Sequence, residues 1–396
     1  MQTVILAAGQ GTRMRPLTEA LPKPMLPVAG RPLVEHTTEA AIEAGATEVT
    51  VVVGYEADAV RDHFESIDVD VPVRFVRQPE QRGTADAVRV AAETLDRDPF
   101  VVLNGDALYD RPSLSALYES GPAVGSYRVD DPTAYGVLDV ADGIVNGVLE
   151  KPDDPPSDLI NAGAYVFPPA ALEWLDVAES ERGEMELTDV LQRTCTERSV
   201  RAVAFDRWLD VGRPWELLAA NEWKLDELER RLDGSVSEDA HLSGPVVVEP
   251  GARVRPGAVI DGPAYVGSDA TVGPNAYLRA KTMLGPGVTV GHSVEVKNSV
   301  LMAGTSVGHL SYLGDSVLGR DVNFGAGTNV ANLRHDDADV RLTVKGDRVS
   351  TGRRKFGVVC GDRVKTGINT SINAGVTLGT DASTTPGEVV LRDRCP

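Results

Sequence analysis

Across roughly the first 230 residues, short apolar runs alternate with stretches whose apolar positions recur at helical spacing. Thr3–Ala8 reads as a strand, followed by a Gly- and Pro-rich loop that reaches Pro27. Leu33–Ala44 has helical spacing, Glu48–Val53 is a strand rich in β-branched residues, and Glu56–Phe64 is helical again. A strand over Val73–Val76, a helix over Thr84–Leu95 and a strand over Phe100–Leu103 follow, the last ending in Asn104-Gly105-Asp106. This order at this spacing predicts an α/β, Rossmann-like unit with a mixed, mostly parallel sheet and helices on both faces. Ligands of such sheets sit beyond the carboxyl ends of the strands, where Gln10–Met14, Gln78–Thr84 and Asn104–Asp106 fall.

Pro214–Leu232 reads as an amphipathic connecting helix, and the pattern changes after it. From Val248, aliphatic residues recur every six positions: Val254, Ile260, Val266, Val272, Leu278, Leu284, Val290, Val296 and Met302. Two residues before each stands a small or β-branched residue, from Ala252 and Ala258 through to Val294 and Val300. A period of six fits neither a helix nor a lone strand. It fits a solenoid of three short strands per coil of 18 residues, aliphatic side chains inward and small residues at the corners. The phase slips near Gly308–Leu313, and Val322–Gly327 and Asn373–Gly379 resume it. Leu333–Lys355 is polar and out of register, an inserted loop. Two domains are expected, residues 1–230 and a left-handed parallel β-helix over 235–396.

Composition narrows the function classes. The net charge of −20 excludes nucleic acid as a general partner. No apolar run approaches the ~20 residues that cross a bilayer, and MQTVILAAGQG lacks the basic start and cleavage site of a secretion signal. A cytoplasmic protein without a membrane partner is expected. The 59 acidic residues against 39 basic ones, only eight of them Lys, suggest a surface suited to high salt. Cys195, Cys360 and Cys395 share no metal-ligand spacing and read as two packing thiols and one near the terminus; the six histidines form no zinc motif.

The most informative segment is LAAGQGTRMRPLTEALPKPMLPVAGRP. Gly9 and Gly11 let the backbone approach phosphate oxygens. Arg13 can fork onto phosphate, and Lys23 can stand near an α-phosphorus. A dinucleotide fingerprint would need Gly where Met14 stands and an acidic residue near Val53; a P-loop is absent. A ligand-free turn sits poorly with Arg13, Arg15, Lys23 and Arg31 in so short a span.

The loop resembles the signature of the sugar-1-phosphate nucleotidyltransferase family. The likeness continues in order through QPEQRGTADAV, NGDAL, AYGVL, EKP, INAGAYVF and WLDVG, over about 210 residues. By that resemblance Leu6, Ala8, Gly9, Gly11, Gln78, Gly83 and Thr84 bind the nucleotide. Gly136, Glu150, Lys151 and Asn161 line the sugar-phosphate pocket, and Asp106 and Asp210 hold Mg²⁺. Arg13 and Lys23 are the catalytic cations of an in-line displacement on a nucleoside triphosphate.

In the solenoid, Arg279 and Lys297 stand 18 residues apart, where the repeat usually carries Gly or an acidic residue. Stacked ~4.8 Å apart they would repel without an anion, and a sugar phosphate would serve. These residues and VGHLSYLGDS resemble the acetyltransferase half of bifunctional GlcNAc-1-phosphate uridylyltransferases and their archaeal relatives. The resemblance implies His309 as base, with Arg279, Lys297, Tyr312 and Asn332 binding the amino-sugar phosphate and acetyl-CoA as co-substrate. The phase slip is expected to place His309 and Tyr312 at an irregularity. After Asn332-Leu333 the chain reads RHDDADVRLTVKG, acidic where relatives carry lysines, so no acetyl-CoA contacts are assigned. Flat-sided β-helices also imply a homotrimer or larger assembly. The resulting expectation is a bifunctional enzyme of UDP-GlcNAc synthesis using UTP or dTTP. The alternatives are a single-activity glucose-1-phosphate thymidylyl- or uridylyltransferase with an assembly domain, and a non-catalytic nucleotide-sugar sensor.

Overall fold

The computed structural model describes all residues except 181, 182, 395 and 396, so Cys395 lies outside the described residues. The backbone packs as two units. Met1–Gln10, Pro22–Met25 and Pro32–Asp210 form the first; Gly11–Leu21, Leu26–Arg31 and Val211–Pro396 form the second.

The first unit is built on a nine-stranded mixed sheet. Strands Val73–Arg77, Glu48–Val53, Gln2–Ala7 and Phe100–Asn104 lie side by side and parallel, as the βα alternation requires. Leu159–Phe167 then pairs antiparallel with Phe100–Asn104, and Ala123–Arg128, Arg201–Ala204, Ile144–Glu150 and Gly136–Ala141 complete the order. The central strands read as continuous apolar runs because both faces are covered. Val51, Val53, Val101 and Leu103 fill one core, with Val60 and Phe64 of the helix Ala57–Ser66. Val4, Val52, Val102 and Phe100 fill the other, with Val88 of the helix Thr84–Ala91 and Val190 of the helix Leu187–Glu197. A separate antiparallel pair, Ala107–Tyr109 with Trp208–Asp210, sets Asp210 opposite Ala107.

In the second unit the helix Pro214–Asp226 precedes a parallel β-helix. Its three sheets have eight, six and eight strands, and all the ladders described between coils are parallel. The hexad residues Val254 to Val296 point into one apolar interior, joined by the small residues at the corners. A fully buried Val or Leu side chain contributes roughly 1.5–3 kcal/mol, so the stacked interior, rather than any single coil, holds the solenoid together.

The phase slip lies earlier than the sequence pattern indicates. Arg279 pairs with Lys297, eighteen residues on, whereas Met283 pairs with Val300, seventeen on. One residue is lost at the corner, where Ala280 and Lys281 of one coil give way to Asn298 alone in the next. All three are left-handed (φ 48°, 46° and 44°). Consequently Leu301, not Met302, enters the interior; Met302 is buried outside it. His309 and Tyr312 therefore sit on regular ladders, opposite His292 and Glu295.

The polar insertion is an excursion closed at its base by a bridge between Leu333 and Lys355 and tipped by the hairpin Arg341–Val344/Asp347–Ser350. Val317 on its near side pairs with Val359 on its far side as though adjacent. The thiols are packing groups. Cys195 is half-buried against the first unit's core, burial raising it to about 11, and Cys360 lies inside the β-helix. Among the described residues no helix is long and apolar enough to cross a membrane.

Candidate functional site

In the first unit, Gly105 places Asp106 just past the Phe100–Asn104 strand. Its N–H donates to the Leu6 carbonyl at 2.9 Å, and a Cβ there would stand 2.8 Å from that same oxygen. The Ala107/Asp210 register brings the second carboxylate beside it. Lys23, only 6 % exposed, donates to Asp106 Oδ2 at 2.5 Å, with its ammonium 4.0 Å from Asp210 Oδ1. Two carboxylates from distant stretches of chain thus share one cation.

Two hard oxygen donors at a strand end suit a magnesium ion that takes its remaining ligands from water and substrate phosphates. No group of three or more His, Cys, Asp or Glu suited to a metal occurs among the described residues.

Gln78 is buried and directly follows the Val73–Arg77 strand. Its amide donates to Asp86 Oδ2 at 2.8 Å and to the Gly83 carbonyl at 3.1 Å. Burial alone would raise the Asp86 carboxyl. Hydrogen bonds from Gln78 and Arg89 outweigh it and hold the group below the usual carboxylate range. Both Gln78 amide hydrogens are engaged, so Oε1 is the group left to accept from a ligand. Gly83 (φ 113°) passes so close to Met185 that a Cβ would stand 2.4 Å from its carbonyl oxygen. Thr84 Oγ1 accepts from the Leu187 N–H at 2.9 Å. Gln81, which the sequence reading passed over, donates to the Ala8 carbonyl at 2.6 Å and so fixes the start of the glycine loop. Gly9 is exposed with open space beside it. Gly11 and Arg13 fall in the second unit, where Gly11 (φ 62°) precedes the 3-10 turn Thr12–Met14 and Arg13 is exposed.

Gly136 and Glu150 face each other across an antiparallel ladder, and a Cβ on Gly136 would stand 3.0 Å from Glu150 Oε2. Lys151 follows with a left-handed backbone (φ 47°) and pairs with Glu150 at 3.1 Å. Asn161 stands where the Leu159–Phe167 strand bulges. It donates to Tyr165 Oη at 2.6 Å and accepts from the Gly163 N–H at 2.9 Å.

In the β-helix, Arg279 and Lys297 do stack in register, but the chain supplies their counter-ions. Arg279 Nε donates to Glu295 at 2.7 Å, and Lys297 Nζ to Asp315 at 2.7 Å. Neither cation needs a ligand to offset repulsion, which corrects the sequence argument. Asn332 donates to Asp315 at 2.5 Å and to Tyr312 Oη at 3.3 Å. Burial, then the carboxylates Asp315 and Glu295, push the Tyr312 phenol up, so it stays a neutral hydroxyl. Gly314 opens the space in which these groups converge; a Cβ there would lie 2.6 Å from both Asn332 Nδ2 and Tyr312 Oη. His309 ends the strand Ser306–His309 on the adjoining sheet with its side chain exposed, three residues before Tyr312. Glu295, Gly314 and Asp315 were missed by sequence reasoning, because their roles appear only once the coil register is known.

Residues 2–227 match a family model described as nucleotidyl transferase, and residues 260–380 match one described as the GMPPB C-terminal domain. A "Bifunctional protein GlmU" of Methanococcus vannielii is 41% identical over 392 residues, 96% of this chain and 93% of that protein. A "Bifunctional sugar-1-phosphate nucleotidylyltransferase/acetyltransferase" of Sulfurisphaera tokodaii is 39% identical, covering 99% of this chain and 98% of that one. The "Low-salt glycan biosynthesis nucleotidyltransferase Agl11" of Haloferax volcanii is 33% identical over 82% of this chain and 94% of its own. Among solved structures, UDP-glucose pyrophosphorylase complexed with UDP-glucose superposes with a TM-score of 0.52 at 25% identity, over 57% of this chain and 98% of that one.

Proposed function

The chain belongs to the nucleotidyl transferase family, and we propose that it performs two group transfers of UDP-GlcNAc synthesis. It acetylates glucosamine-1-phosphate from acetyl-CoA, then joins the product to a uridylyl or thymidylyl group with release of pyrophosphate. The observation that carries the nucleotidyl transfer is Lys23 held between Asp106 and Asp210.

In the first reaction site a phosphate oxygen of the sugar-1-phosphate attacks the α-phosphorus of the triphosphate. The bond from that phosphorus to the β-phosphate oxygen breaks in line, and pyrophosphate leaves. This chemistry asks for positioning and charge neutralisation rather than covalent help. Asp106 and Asp210 would hold a magnesium ion, which supplies further neutralisation of phosphate charge. Lys23 offsets charge at the α-phosphorus. The backbone of Leu6, Ala8 and Gly9 cradles the phosphates, with Gly83 and Thr84 framing the base. Gln78 Oε1 accepts from the base N3–H, a donor that uracil and thymine share and cytosine lacks. Gly136, Glu150, Lys151 and Asn161 hold the sugar phosphate.

In the second site Arg279 and Lys297 bind the phosphate, and Tyr312 and Asn332 hold the amino sugar. As the amine nitrogen attacks the thioester carbon, His309 takes the amine proton; the C–S bond then breaks and that proton passes to the departing sulfur, so coenzyme A leaves as its thiol. The Glu295 and Asp315 ion pairs are the observation that favours the other reading, an assembly β-helix, since they satisfy both cations. Pyrophosphate release, measured for several triphosphates against several sugar phosphates, tests the first activity. Acetyl-CoA-dependent thiol release with glucosamine-1-phosphate, compared with His309→Ala, tests the second. A loss of ~10²-fold or more supports it, and no release from the wild type makes the β-helix a scaffold.

A further inference from the structure

Asp315 is buried, 3 % exposed, at a coil corner with a left-handed backbone (φ 50°). A carboxylate withdrawn from water is costly unless partners replace the lost hydration. Here three side chains do so, two from the coil before it and one from the coil after. Lys297 Nζ and Asn332 Nδ2 bond Oδ2 at 2.7 and 2.5 Å, and Asn298 Nδ2 bonds Oδ1 at 2.8 Å.

Asn298 is itself 8 % exposed. Its amide nitrogen also donates to Glu222 Oε1 at 2.7 Å, and Glu222 is clamped by both terminal nitrogens of Arg353. The Asn298 carbonyl oxygen is buried with no hydrogen-bond partner. Leaving such an acceptor bare costs about 1–3 kcal/mol. The side chain accepts that penalty to keep its donors on two carboxylates. The backbone reinforces the arrangement: the Asp315 carbonyl accepts from the Gly357 N–H at 2.8 Å, and the Asn332 carbonyl from the Phe356 N–H at 3.0 Å. Both acceptors receive the chain as it returns from the 333–355 excursion.

We infer that Asp315 is a positioning residue of the amino-sugar-phosphate site. It fixes the spacing between Lys297, which faces the phosphate, and Asn332, which faces the amino sugar, and Asn298 holds Asp315 in turn. The inference rests on the reading of the β-helix as an acetyltransferase. Without Asp315 the lysine stem swings free and Asn332 loses its strongest anchor, so binding of the sugar phosphate suffers before acetyl-CoA does.

The test uses the full chain, with Asp315→Asn preserving volume and removing the charge. The KM for glucosamine-1-phosphate should rise roughly tenfold or more. The KM for acetyl-CoA and the pyrophosphate-release activity of the same preparation should stay within about twofold. A rise shared by both substrates, or none, overturns the inference. Should Asp315→Asn fail to fold, Asn298→Ala decides: a rise of about threefold confined to the sugar phosphate supports it, and an unchanged KM overturns it. Calorimetry with glucosamine-1-phosphate separates the two levels of the argument. A wild type that binds but does not acetylate sinks the acetyltransferase reading alone, and equal affinity in Asp315→Asn then sinks the positioning role. A wild type that neither binds nor acetylates removes both.

Discussion

Lys23 Nζ lies 2.5 Å from Asp106 Oδ2, joining a lysine of the proline-rich loop to a carboxylate eighty-three residues away. If that ammonium serves the α-phosphorus, its loss damages the transition state more than the ground state. Lys23→Ala should lower the turnover of pyrophosphate release by ~10²-fold or more. Nucleotide affinity, read by equilibrium titration, should change far less. Turnover within a factor of about two of wild type removes Lys23 from the mechanism.

The two reactions should separate under chelation. Only the first calls on Asp106 and Asp210 as oxygen donors to a divalent ion. EDTA should therefore abolish pyrophosphate release while thiol release from acetyl-CoA continues, and added Mg²⁺ should restore the former. Loss of both activities would contradict this division.

Gly314 gives a substitution that spares the fold and strikes the second site. A methyl group there would press on the free ends of Tyr312 and Asn332, which can move aside, rather than on rigid backbone. Gly314→Ala should cut acetyl transfer at least ~10-fold with Tm nearly unchanged. A large fall in Tm, or full activity, would contradict the placement of these groups.

Asp86 predicts acid sensitivity of a defined sign. Its carboxyl is depressed in the folded chain, so its contribution is complete above the unfolded value of ~3.9 and is lost as pH falls through the folded value. Wild type should therefore lose Tm more steeply than Asp86→Asn between about pH 4 and about pH 2. Parallel curves would show that the Gln78 and Arg89 bonds contribute nothing to this dependence.

At a net charge of −20 the chain repels itself in dilute buffer. Raising KCl from about 0.1 M to about 3 M should increase Tm by roughly 5 °C or more. A decrease would remove the basis for calling the surface salt-adapted.

Much of this architecture was legible because it repeats. Val254 to Val296 point inward at every sixth residue, and a period of six has few structural explanations. The slip was misplaced because Val300, Leu301 and Met302 are all apolar, and hydropathy does not choose among them. A single left-handed Asn298 doing the work of Ala280 and Lys281 makes the choice. The partners of Arg279 and Lys297 were hidden for a related reason: Glu295 and Asp315 look like surface acids until coils are stacked. Asp106 and Asp210 were found through resemblance. What joins them is the short pairing of Ala107 with Asp210, which no local pattern reveals. Gln81 went unnoticed because its target is a backbone carbonyl, invisible in a string of side chains.

The excursion between Leu333 and Lys355 leaves the ladders on either side of it intact, Val317 meeting Val359 as if nothing intervened. Such a stack can gain or shed a flap beside its coils by extruding chain at a bend, without rebuilding any layer. Molecules sharing this scaffold are thus free to diverge in what they admit while the pile of triangles beneath stays the same.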